Sequence, residues 1–186
     1  MNEINKTFSP IELQQLKELV NEEFKFIGGP EVPDFLVSDS FVIGTSNSAV
    51  VVSAGMQDVT ISESIEDFSC LMVEVADSDL VAKTLKSGNM YFLNRRNGIT
   101  GFSIVRETLT HSKKSESSWR LISDVGLVIH LVEGYVVLRM VSHSVEAIAV
   151  EFVKEFSINS YEKPSSRFED NLFDTYSSKF ELIVVE

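Results

Sequence analysis

Between Trp119 and Leu131 the apolar residues Trp119, Leu121, Val125, Leu127, Ile129 and Leu131 all fall at odd positions, and only Ser123 interrupts the row. A period of two belongs to a strand and not to a helix. Glu133-Gly134 follows with the chemistry of a two-residue turn, and Val136, Leu138 and Met140 return at the same spacing. The other side of this hairpin carries Val128, His130, Tyr135, Val137, Arg139 and Val141. That mixture calls for a partial cover, supplied by the N-terminal helix or the C-terminal segment. A chain holding such a hairpin is committed to an antiparallel sheet with at least one buried face.

Other stretches add to this frame. Asn97-Gly98 predicts a second tight turn, between Met90–Arg96 and Ile99–Glu107, setting Leu93 against Phe102 and Tyr91 against Ile104. Ser9-Pro10-Ile11-Glu12 reads as a capping box, after which Leu13, Leu16, Val20 and Phe24 recur at helical spacing until Gly28-Gly29-Pro30. Strands are expected from Asp34 to Val75, with a hairpin around Thr45–Ser48, an acidic loop over Glu63–Asp67 and a strand over Phe68–Val75. Asp77 opens a short helix that ends at Gly88, with acidic residues first and lysines last, as the helix dipole favours. Thr110–Ser118 reads as a polar loop. Val145–Phe156 fits both periods, and its alanine and glutamate tip it to helix. Phe168, Leu172, Phe173 and Tyr176 suggest a late short helix, and Phe180–Val185 a last strand.

The expected fold is therefore α+β: a capped N-terminal helix packed on a largely antiparallel sheet, with short helices late in the chain. The 186 residues suffice for one domain, 1–186, of which 1–8 read as flexible. The single cysteine, Cys70, permits no internal disulfide, and no stretch resembles a secretory leader or a membrane span, so a cytoplasmic location is expected.

Charge is the one feature that leans towards a function. Phe26–Ala82 contains no lysine or arginine but ten carboxylates, among them Asp39, Asp58, Glu63, Glu66 and Asp67. From Lys83 to Arg120 the sign reverses, with eight basic residues against Glu107 and Glu116. A formal charge of −12 argues against nucleic acid or an anionic membrane as partner, because phosphates are repelled.

Motifs for chemistry are absent. Gly44-Thr45-Ser46-Asn47-Ser48 lacks the last glycine of a nucleophile elbow, and no phosphate-binding glycine loop occurs. His111, His130 and His143 have no metal-ligand spacing, and no metal or cofactor is expected. Cys70 shares parity with Phe68 and Met72 and reads as a buried small apolar residue.

The leading expectation is a non-enzymatic acidic protein that neutralises a basic protein partner through Asp39, Asp58, Glu63, Ile65, Glu66 and Asp67. Its most concrete form is an immunity protein blocking a nuclease-type toxin. One alternative is a small enzyme built around His130 and Arg139, with Asp124 opposite His143 across the hairpin. Others are a secretion chaperone, or a self-associating module (a homodimer) that sets Arg95, Arg96 and Arg106 against the acidic third of another copy.

Overall fold

The computed structural model describes residues 2–29, 37–61, 64–113, 116–164 and 174–185. Strand β1 is Asn2–Lys6, followed by helix α1 (Pro10–Glu18), β2 (Glu23–Gly28), β3 (Val37–Ser38) and β4 (Ser40–Thr45). Then come β5 (Ala49–Ile61), β6 (Ser64–Val75), helix α2 (Ser78–Ser87), β7 (Met90–Lys113) and β8 (Glu116–Leu131). The chain ends with β9 (Gly134–Ser142), β10 (Val145–Val153), a 3₁₀ turn at Ile158–Ser160 and β11 (Asp174–Val185).

The α+β expectation is overturned: strand accounts for 68% of the structure and helix for 14%. The described strands belong to one mostly antiparallel sheet in the order β3-β10-β9-β8-β7-β2-β4-β5-β6, with β1 added to β8 and β11 to β7. The capping box at Ser9 and Glu12 forms, but α1 has only nine residues and is no layer over a sheet. Asn21 turns the chain at a φ of 72°, and Glu23–Gly28 enters the sheet as β2, with Phe24, Phe26 and Ile27 buried. Aromatic and β-branched residues gain more from a half-buried pleat than from continuing the helix. For the same reason Val145–Val153, expected as helix, is strand β10: Ile148 and Val150 join the main core. The expected helix around Phe168–Phe173 lies outside the described residues, and Tyr176 sits in β11.

Three further expectations give way to long-range pairing. Asn97-Gly98 is not a turn, for β7 runs straight through it with Asn97 opposite Phe24 and Gly98 opposite Glu23 on β2. Neither residue takes the positive φ that a type I′ turn requires. The pair instead supports another turn: the Asn97 side chain accepts the Glu133 N–H at 3.2 Å, and the Gly98 carbonyl accepts the Val132 N–H at 3.1 Å. Thr110–Ser118 is mostly strand rather than loop. Asn2–Lys6, expected to be flexible, pairs in parallel with Trp119–Ser123.

The β8–β9 turn forms one residue earlier than expected, which moves the pairing register by two. Leu131 pairs with Gly134, so Val132 and Glu133 make the turn and His130 faces Tyr135. A shift of two leaves every side chain on its expected face. Gly134 has a φ of 100°, and a side chain there would meet the Val153 carbonyl at 2.6 Å, so only glycine fits.

Strand β8 carries one extra residue against β7: Val105 pairs with Gly126 and Arg106 with Asp124, which leaves Val125 bulged. The odd-numbered row of apolar residues is split there. Leu127, Ile129 and Leu131 enter the main core, Trp119 and Leu121 a second cluster, and Val125 a third. The third cluster lies on the mixed face of the sheet, and its cover is the segment after β10, through Phe156, Ile158 and Tyr161. The path also doubles back on itself: β3 pairs with β10, and the next residue, Asp39, accepts the Ala54 N–H of β5.

Asp124 fixes the entry of the chain into this frame. It is buried, takes two hydrogen bonds from the Arg106 guanidinium at 2.7 and 3.2 Å, and accepts the Phe8 N–H at 2.8 Å. Asp124→Ala leaves a partly buried guanidinium and a buried amide without their acceptor. The expected loss is about 3 kcal/mol in urea unfolding, with faster hydrogen exchange at the Phe8 amide. A loss below about 1 kcal/mol contradicts this role.

Candidate functional site

The β5–β6 hairpin holds one register from Val50 opposite Val75 to Ile61 opposite Ser64. Near its base, Val50, Val52, Ala54, Leu71 and Val73 point into the main core. Beyond Gly55 the burial changes face. Val59, Phe68 and Cys70 now pack against Leu109, Trp119 and Leu121 in the second cluster. The face that was inward at the base becomes an exposed ribbon of Met56, Asp58, Thr60, Ile65 and Asp67. The pairing register sets these residues on one side, and beyond Gly55 that side faces solvent.

On this ribbon Asp58 stands directly opposite Asp67, and Thr60 opposite Ile65. Ile65 is 70% exposed, unusual for an isoleucine within a strand. Glu66 lies opposite Val59 on the reverse face and is half-buried. The segment Ile65–Asp67 is therefore strand and not the tip of a loop; Glu63 falls outside the described residues. Asp39 does not join the patch: its backbone neighbour Ala54 is four residues, about 13 Å, from Asp58 along β5. A residue not anticipated from the sequence replaces it. Glu146, at the start of β10, accepts the Met56 N–H at 2.8 Å and brings a third carboxylate beside the ribbon. No local signal marks it, because it lies 90 residues away in the chain.

The arginines whose side chains are described ion-pair elsewhere. Arg106 holds Asp124, Arg139 holds Glu151 and Glu162, and Arg120 lies 3.5 Å from Glu3. The expected arginine patch therefore does not form at Arg106, and the Arg95 and Arg96 side chains lie outside what is described. Lys6 approaches the hairpin from its inner face, donating to the Gln57 side chain at 3.1 Å.

The residues of the enzymatic alternative are held apart. Asp124 is bound to Arg106, whereas His143 Nε2 lies 2.6 Å from Glu107, so the expected Asp124–His143 pair does not form. Glu107 also accepts the Ser178 hydroxyl at 2.5 Å, and it and His143 are both 2% exposed. This is a sealed structural cluster without room for a substrate. His130 stands 2.9 Å from the Ser103 hydroxyl and edge-on to Tyr135, and burial lowers its pKa below the ordinary histidine value. Arg139 lines a separate cavity of about 270 Å³ with Glu151, Glu155, Tyr161 and Glu162. Cys70 is buried and its thiol is pushed up to about 11 by desolvation, so it is no nucleophile at neutral pH.

Among the described residues no group of three or more His, Cys, Asp and Glu side chains is placed to hold a metal ion, and no helix is long and apolar enough to cross a membrane. The chain matches no protein-family model, no curated protein and no solved structure.

Two carboxylates opposed across an antiparallel pair repel each other. Asp58→Asn is therefore expected to raise stability by about 0.5 kcal/mol in urea unfolding at low ionic strength, with the gain shrinking as salt is added. A loss of stability, or a gain indifferent to salt, contradicts the reading of this face as electrostatically strained.

Proposed function

We propose that the chain is a binding protein without catalytic activity that recognises a basic protein partner through the exposed distal face of the β5–β6 hairpin. The observation that carries this reading is the pairing of Asp58 with Asp67 beside the exposed Ile65. Solubility alone does not call for two carboxylates in direct opposition beside an exposed isoleucine, an arrangement unfavourable unless another group offsets it. A lysine or arginine inserted between them turns that repulsion into attraction, and Ile65 offers the apolar contact that such an interface needs at its centre.

The most concrete form is an immunity protein that fills the cationic, nucleic-acid-binding cleft of a nuclease-type toxin. A protruding ribbon of like charge suits such a cleft, and steering between opposite fields speeds the encounter by about 10–10³-fold. The cytoplasm, where such a toxin acts, is the compartment this reading implies. The separation of Asp124, His130, Arg139 and His143 removes the main support for the enzymatic alternative.

The test is co-purification of the tagged chain with the product of the adjoining reading frame, comparing wild type with D58K/D67K. A basic partner that is retained by the wild type, lost with added salt and lost with the double reversal is the expected result. A partner that is not basic, or one bound equally well by D58K/D67K, rules the reading out.

A further inference from the structure

Strand β11 is an outer strand. Over Phe102–Lys113 it pairs with β7, and it pairs with no other described strand. It is twelve residues long, and Leu182 and Val184 on it are 40% and 61% exposed. Long edges with apolar side chains invite another strand, and proteins ordinarily blunt them.

A row of charges leads to this edge. Asp124 on β8 faces Arg106 on β7, and Arg106 faces Glu181 on β11. The Asp124 hydrogen bonds foremost, and more weakly the charge of Glu181, favour the protonated Arg106. The signs alternate to the edge, and the position beyond Glu181 calls for a cation.

A second copy of the same edge supplies it in register. In an antiparallel ladder, residues whose N–H groups point outward must face residues that do the same. Two copies of one edge can therefore pair only where facing residue numbers have an even sum. A centre on Lys179 sets lysine against lysine, and a centre on Glu181 sets glutamate against glutamate. With the centre on Phe180, Lys179 of each copy faces Glu181 of the other, and residues 175–185 all find partners. That register also sets Tyr176 beside the exposed Val184 and Phe180 beside its own counterpart. We propose that the chain forms a two-fold dimer in which the β11 edges pair antiparallel about Phe180, joined by two reciprocal Lys179–Glu181 contacts.

The dimer does not use the β5–β6 ribbon, so it stands or falls independently of the partner-binding reading. The experiment is sedimentation equilibrium on wild type, K179E, E181K and an equal mixture of the two variants. Wild type should be dimeric. Each variant alone sets like charges in both contacts and should dimerise at least about ten-fold more weakly. The mixture should recover a one-to-one dimer, because the two glutamates of the K179E copy then meet the two lysines of the E181K copy; two misfolded variants do not recover. A monomeric wild type, variants that dimerise like wild type, or a mixture that stays monomeric each overturns the proposal.

Discussion

The sheet turns on one carbonyl. The bulge at Val125 takes its C=O out of the β7–β8 ladder, deep in the protein, and the Tyr161 hydroxyl donates to it at 2.7 Å. The phenol reaches it because residue 126 is glycine: a Cβ there would stand 2.6 Å from the Tyr161 hydroxyl oxygen. An unmet carbonyl in this place would cost about 1–3 kcal/mol. Met, it lets β8 serve two faces, with Leu127, Ile129 and Leu131 in the main core and Val125 and Val128 under the segment that brings Tyr161. Burial raises the Tyr161 pKa far above its ordinary value, so the donor proton stays in place at any physiological pH.

This arrangement explains why so few helices suffice. An all-parallel sheet is covered by its crossover helices on both faces, whereas an antiparallel one can be covered by itself or by loops. Here it rolls on itself for one face, and an irregular segment with a single 3₁₀ turn covers the other. Material is spared at the periphery. The outer half of β5–β6 is packed on one side only and offers the other, with Asp58, Asp67 and Ile65, to solvent.

How much of this was legible in the sequence depends on the range of the interaction. The β8–β9 hairpin and the capping box at Ser9 rest on neighbours a few residues apart, and both can be read directly. Asn97-Gly98 misleads because its local preference is outweighed by β2, which reaches it from a distant part of the chain. The helix assigned to Val145–Phe156 fails likewise, since β9 and β3 flank that segment and favour strand. Of the acidic stretch singled out in the sequence, Asp58, Ile65 and Asp67 share one exposed face, while Glu146 comes beside it through the fold and Asp39 lies farther along β5. The bulge itself left one mark, Gly126, whose meaning depends on Tyr161, well beyond the next two strands.

The coupling between Gly126 and Tyr161 is therefore the quantity to measure, through the unfolding free energies of Gly126→Ala, Tyr161→Phe and the double variant. If Tyr161 caps the bulge through the space left by Gly126, each single change destabilises the fold, and the double loses less than their sum by about 1 kcal/mol or more. Additive losses would mean that the glycine and the tyrosine act separately, and that the two faces of β8 are held apart by something else.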